Sequence, residues 1–349
     1  MNESLDYPFT NPPSETAYTV VLQSDANQRA LIKWLRSPLP MSLNHINCYL
    51  LRDGEGWCVV DTGMNGEASK KHWLNIIEGE LEGLPISRVI VTHHHPDHVG
   101  LAGWLCDSHQ APLYMSEKEY FYTLAFNAPI RKQPYWEVET YFNRCGISQS
   151  DRKALLADQD YNHLVTEVPS SLHQLSDGGH LQIGDHQWEI ISTRGHCPEH
   201  ICLYCKQLDI LISGDQVLPK ITSNVSVSPS IPNDNPLKNW LEAHDIVKER
   251  VPDSVLVLPA HQLPFKGLHK RLQQVVEHHE HRLDELEKLC IKPHTAQELT
   301  YQLFDRKLEP FQNFLAVGEC IAHLHYLIYQ NRIEQTQEGE HFIYRQANN

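Results

Sequence analysis

The chain has 349 residues, 41% of them hydrophobic and 21% charged, with a formal net charge of -15. That composition supplies a core for a main domain plus a smaller module and excludes a disordered chain. The acidity, with no basic stripe to offset it, argues against nucleic acid as a partner and offers a membrane surface nothing to hold.

The N-terminal run MNESLDYPFTNPPSETAYTV has no basic flank, apolar core or small-residue cleavage site. No secretory signal is expected, and the chain reads as cytoplasmic. No apolar run approaches the ~20 residues that span a bilayer. Residues 1–27 are polar and Pro-containing and are expected as a loose lead-in. Short β-like runs follow: ALIKWL, INCYLL at 46–51 and WCVVDTG at 57–63, then a helix-like stretch at 67–82. RVIVTHHHPDHVG is an apolar strand that breaks into a His-rich loop, and GLAGWLC opens a helix. Residues 116–176, rich in aromatic and charged residues, predict a helical insertion over the site. Strand-like runs resume with HLQIG, WEIISTRGH, ICLYC, DILISGD and VLVLPAH at 255–261. Short strands alternating with helices predict a layered α/β domain over 28–266.

From Gly267 the period turns helical. Thr295-Ala-Gln-Glu298 is a capping box, and Phe314, Val317, Ile321, Leu324 and Leu327 mark an amphipathic helix. NRIEQTQEGEHFIYR predicts a hairpin turning near Gly339. Residues 267–349 therefore read as a small helical, winged-helix-like module.

Nine cysteines, among them Cys48, Cys58, Cys202 and Cys290, lie mostly in apolar segments and are expected as reduced core thiols. Cys202 and Cys205 form a C-x-x-C inside a strand-like run. Residues three apart in a strand face opposite sides, which argues against a redox or zinc pair.

The 23 histidines matter through their positions. In Thr92-His93-His94-His95-Pro96-Asp97-His98, His93 and His95 face the same way in an extended segment. Asp97 and His98 follow in the turn and can aim at a second point, so one loop can serve two neighbouring cations. His94 points away and is not counted. Three further apolar strands end in a small residue and a candidate ligand: His196 after Gly195, Asp215 after Gly214, and His261 after Ala260. A single strand-end His is more often a surface residue. The ordered set carries the reading.

This pattern, H-x-H-x-D-H, then G-H, then G-D, then a final His, resembles the metallo-β-lactamase superfamily over about residues 28–265. THHHPDH and Gly214-Asp215 are similar to the glyoxalase II branch, and Asp61-Thr62-Gly63 resembles a turn whose Asp supports a ligand from behind. His279-x-x-Arg282 and the C-terminal module resemble the β-lactamase-like protein 2 subgroup, which includes hydrolases described as endoribonucleases. The resemblance implies an αβ/βα sandwich with a helical insertion and the C-terminal module. It gives His93, His95 and His196 to one metal, Asp97, His98 and His261 to a second, and Asp215 to both. Ala260 departs from the usual Gly before the last His; it is small, and little effect is expected.

Three imidazoles around one cation leave a position for water. A second cation ~3.5–4 Å away lowers that water's pKa toward 7, giving hydroxide that Asp97 aims. Asp97 and Asp215 are thus the candidate catalytic carboxylates. Two zinc ions suit the all-His/Asp set best, and iron or manganese also fit. The resemblance also implies that an Asp at the bridging position goes with other hydrolases of the superfamily and not with lactamases. The preferred reading is hydrolysis of a small ester or thioester. Tyr120, Phe121, Tyr135, Trp136 and Tyr141 could line a pocket, although most are expected to pack within the insertion. A second reading is an RNA phosphodiesterase, but from residue 290 onward five Lys/Arg face seven Asp/Glu. The module then packs on the main domain or forms a homodimer contact. A third reading is an iron-dependent sulfur dioxygenase, which would need one iron only.

Overall fold

The computed structural model describes residues 4–14, 16–41, 43–127, 136–157, 163–304 and 307–347. Strands β1 (Thr19–Ser24), β2 (Ala30–Pro38), β3 (His45–Asp53), β4 (Gly56–Val60), β5 (Ile86–Ile90), β6 (Leu113–Met115) and β7 (His173–Gln174) form one sheet in that order. It is antiparallel from β1 to β4 and parallel from β4 to β7. Strands β8 (His180–Ile183), β9 (His186–Thr193), β10 (His200–Cys205), β11 (Ile210–Gly214) and β12 (Leu256–Pro259) form the second, with β11 and β12 parallel.

Period two sorts the side chains. In β3, Tyr49 and Leu51 point to the second sheet while Ile46, Cys48 and Leu50 point outward. In β10, Ile201, Leu203 and Cys205 point inward and Cys202 and Tyr204 outward. Both faces are covered, so these strands read as continuous apolar runs. Helices α1 (Glu67–Gly79), α2 (Pro96–Val99) and α3 (Ala102–His109) lie with the first sheet, whose outer face packs on Trp73, Ile76 and Leu105. The second sheet's outer face packs on Val247 and Val251, at the end of α7 (Pro236–Arg250), and on Leu268 and Leu272 of α8 (Leu268–Leu289). The result is the αβ/βα sandwich that the resemblance implies. The C-terminal part adds α9 (Ala296–Leu303), α10 (Pro310–Tyr329) and the hairpin β13 (Ile333–Glu338) and β14 (His341–Gln346). Among the described residues, no helix is long and apolar enough to cross a membrane.

Two expectations change. The described residues of 1–27 do not form a loose lead-in: Thr19–Ser24 is the edge strand of the first sheet, Leu5 is buried against the second sheet's helices, and Asp6 bridges to Lys266. The signal was weak because only Val20-Val21-Leu22 is apolar and the pairing with β2 is bulged. The insertion contains α4 (Glu117–Phe126), α5 (Trp136–Cys145) and α6 (Gln149–Ala157). Tyr141, Phe142 and Leu155 of α5 and α6 share a core with Val317, Ile321 and Leu324 of α10, so this part of the insertion braces the C-terminal module.

Three imidazoles are buried among α7, α8 and α10. His244 Nδ1 donates to the Trp240 carbonyl at 2.7 Å, His323 Nδ1 to the Glu319 carbonyl at 2.8 Å, and His279 Nδ1 to His323 Nε2 at 3.1 Å. Burial, with Arg271, Arg282 and His278 nearby, pushes His244 and His323 down to about 4 and His279 to about 2; Asp245 beside His244 opposes this weakly. Unfolding returns them to ordinary values, so on acidification the unfolded chain takes up protons first. The stability they contribute is intact above pH ~6.5 and is lost as pH falls toward 4, roughly 3 kcal/mol for each of His244 and His323. Urea unfolding at pH 7 and pH ~4.5 should show this decline, and His244→Phe should flatten it. A variant as acid-sensitive as the parent would contradict the assignment.

Candidate metal centre

The candidate ligands gather because strands β4, β5, β9, β11 and β12 deliver chain to one edge of the sandwich. The edge is stitched by backbone bonds: Ile201 N–H to the Thr92 carbonyl at 3.0 Å, Ala260 N–H to Gly214 at 2.9 Å, and Asp61 N–H to Ile90 at 2.9 Å. Two positions require glycine. Gly195 has φ +117, and a Cβ there would stand 2.6 Å from Trp240 Cβ; Gly214 has φ +50, and a Cβ would collide with the His200 ring.

Two groups of side chains converge. His93, His95, His196 and Asp215 form one, and Asp97, His98 and His261 the other. Asp215 faces both. Its Oδ2 lies 3.4 Å from His196 Nε2 and 4.0 Å from His93 Nε2. Its Oδ1 lies 3.4 Å from His261 Nε2 and 3.6 Å from His98 Nε2. Asp97 Oδ2 is 3.4 Å from His261 Nε2 and 3.7 Å from His98 Nε2.

Hydrogen bonds from behind fix which nitrogen each ring presents. His98 Nδ1 donates to Asp61 Oδ2 at 2.8 Å, His196 Nδ1 to the Asn224 carbonyl at 2.7 Å, and His261 Nδ1 to the His45 carbonyl at 3.0 Å. His93 Nδ1 donates to Thr92 Oγ1 at 3.1 Å, and that hydroxyl donates to Asp61 Oδ2 at 2.9 Å. In each of these four rings Nε2 is left aimed inward. Asp61 holds this role at φ 58, with its Oδ1 accepting the Thr92 N–H at 2.8 Å.

The electrostatics fit cations. Burial, then the neighbouring imidazoles, push His93 and His95 well below the usual histidine range, so these two rings present neutral nitrogens. Burial acts against charge at His98 and His261 too, but Asp61, Asp97 and Asp215 raise His98, and Asp215 and Asp97 raise His261. Against burial, His261 and His98 hold Asp215 well below the usual carboxylate range. Protons there occupy the place of positive charge. His98 Nε2 and Asp215 Oδ1 are buried without a hydrogen-bond partner. Ring nitrogens 2.8 Å apart (His93 Nε2, His95 Nδ1) and 3.3 Å apart (His93 Nε2, His196 Nε2) are close to the ~3.3 Å edge of a tetrahedron with ~2 Å bonds. These donors suit a metal ion.

Besides the Asn224 carbonyl behind His196, sequence reasoning missed two further supports. Glu119 of α4 is 0% exposed. Its Oε2 accepts the His94 N–H at 3.0 Å and His94 Nδ1 at 2.5 Å, and its Oε1 accepts the Glu199 N–H at 2.6 Å. It therefore joins the loop of His93–His98 to the loop of His196. Burial would raise its pKa; the His94 bonds hold it below the ordinary value. Cys197 converges on the same carboxylate, and burial and Glu119 keep it a thiol. His200 accepts the Asp215 N–H on Nε2 at 3.1 Å, and burial pushes it down to about 3, so it stays a neutral acceptor. Neither signal was readable: Glu119 sits in the surface-like EKEY, and His200 opens a strand.

Of the aromatics singled out from the sequence, none that is described lies at the ligands, although Tyr122 and Phe126 of α4 pack on the neighbouring His94 ring. Tyr120 packs in the first sheet's outer core, Tyr141 in the C-terminal core, and Phe121 and Trp136 are 56% and 72% exposed. Tyr135 lies outside the described residues.

A family model described as metallo-beta-lactamase superfamily matches residues 42–261, and one described as metallo-beta-lactamase-like, C-terminal domain, matches 283–347. The crystal structure of a beta-lactamase domain protein from Burkholderia ambifaria is 36% identical with a TM-score of 0.88, covering 98% of each chain. The probable metallo-hydrolase YqjP of Bacillus subtilis (strain 168) is 22% identical over 311 residues, 87% of this chain and 94% of that protein. The beta-lactamase-like protein 2 homolog of Caenorhabditis elegans is 21% identical over 277 residues, 77% of this chain and 74% of that protein. The matched span contains every ligand that converges at the strand ends, and the chain belongs to the metallo-β-lactamase superfamily as a metal-dependent hydrolase.

Proposed function

We propose that the chain hydrolyses a small ester or thioester with two cations, zinc preferred, held by the seven side chains of the two groups. The observation that carries the two-cation reading is Asp215, whose carboxylate turns one oxygen to each group. When bound, the ions would supply Lewis acidity and an acidified water. His93 and His95 stay neutral, and together with His196 they turn ring nitrogens to one side. Asp97 keeps 18% of its side chain exposed, with Oδ2 turned to His98 and His261. Its Oδ1 is left to orient the attacking water and accept its proton. Asp61, Asn224 and the His45 carbonyl keep the imidazoles from rotating.

The net charge of -15 supports a small organic substrate over a polyanion. The test is metal analysis joined to turnover. The expected result is two ions per chain and hydrolysis of S-lactoylglutathione or an aryl acetate, with labelled single-stranded RNA left intact. RNA cleavage without ester turnover would replace this reading with a phosphodiesterase, and one iron per chain would replace it with a sulfur dioxygenase.

A further inference from the structure

We infer that the C-terminal module is part of the metal centre's support, and that Glu319 on α10 is a positioning residue for His196, acting through Asn224. The inference rests on the reading of His196 and Asp215 as metal ligands.

Residues 223–227 run between the ligands and α10 and touch both. On the ligand side, the Asn224 carbonyl accepts His196 Nδ1–H at 2.7 Å, and the Ser223 hydroxyl donates to the backbone carbonyl of Asp215. One short segment thus contacts two of the ligands. On the other side it is seated on the turn Leu315–Glu319. Asn224 Nδ2 donates to Glu319 Oε2 at 3.3 Å. Ser226 Oγ lies 2.5 Å from Asn224 Oδ1 and 3.1 Å from the Leu315 carbonyl. Val227 N–H donates to the Gly318 carbonyl at 3.0 Å. The approach is close enough that a Cβ at Gly318 would stand 2.9 Å from the Val227 carbonyl oxygen. Tyr141 of α5 completes the seat by donating to that same oxygen at 2.8 Å.

The carbonyl of Asn224 selects the tautomer of His196 and fixes its ring plane, so its position matters to within tenths of an ångström. The Asn224 side chain is what ties that residue to α10. Without the Glu319 acceptor, the amide keeps only its Ser226 bond, its direct tie to α10 is gone, and the carbonyl has room to drift from Nδ1.

Zinc binding by the full-length protein, measured by competition with a chromophoric chelator, tests this. Glu319→Ala should bind the weaker-held of its two ions 10–100-fold less tightly than the parent. Glu319→Gln keeps an oxygen for Asn224 Nδ2 and should stay within about threefold, a rescue that a merely structural role would not produce. Asn224→Ala leaves α10 untouched and should repeat the loss, which decides the matter if Glu319→Ala folds poorly. Parent-like affinity in both alanine variants would overturn the inference. A parent that binds no zinc, or a His196→Ala variant that keeps both ions, would remove the underlying reading and the inference with it.

Discussion

Asp215→Asn should leave the fold standing and reduce hydrolysis about a thousandfold, with bound metal falling from two ions per chain toward one. An amide keeps the shape of the carboxylate but offers one acceptor oxygen, so only one of the two groups retains it, and the other meets an NH2. The lost negative charge matters as much, because Asp215 is the carboxylate both groups share. A Lewis-acid contribution of about 4 kcal/mol to the transition state corresponds to that thousandfold change. The measurement is kcat on the ester or thioester turned over by the parent, alongside metal content. Two retained ions with kcat within tenfold of the parent would remove Asp215 from its shared role.

Glu119→Ala should be the most damaging substitution away from the ligands. It deletes a fully buried carboxylate and orphans the N–H groups of His94 and Glu199 together with the His94 ring. Breaking a buried, charge-assisted set of this kind costs about 3–5 kcal/mol. The loss falls on the two loops that carry His93, His95 and His196, so metal affinity should drop with stability. Glu119→Gln should fall between parent and alanine, since one amide oxygen still accepts while the NH2 faces donors. Urea unfolding reads the first effect and chelator competition the second. A loss under about 1 kcal/mol would show that water replaces the carboxylate.

What sequence alone disclosed divides along a physical line. His93, His95, Asp97 and His98 stand within one extended run and the turn after it, and His196, Asp215 and His261 each follow an apolar strand and a small residue. Period and strand ends are local properties, visible one segment at a time. Glu119, His200 and Asn224 work through backbone N–H and carbonyl groups of distant segments, which no residue letter displays. The same limit hid β1: its place is decided by pairing with β2, and its own letters are mostly polar. It also hid the partner of α5 and α6. Their apolar faces were legible, but not that these faces meet α10 rather than the ligands.

All nine sulfhydryls of the chain are interior. Thiolate is among the strongest competitors for a borderline-soft ion, and burial here keeps sulfur in its protonated, poorly coordinating form, as at Cys48 and Cys202. An incoming ion is therefore offered mainly nitrogen and oxygen, and even Cys197, which converges with His94 and Glu119, is held as a thiol by burial and that carboxylate. The same arrangement spares the enzyme oxidative inactivation through accessible cysteine.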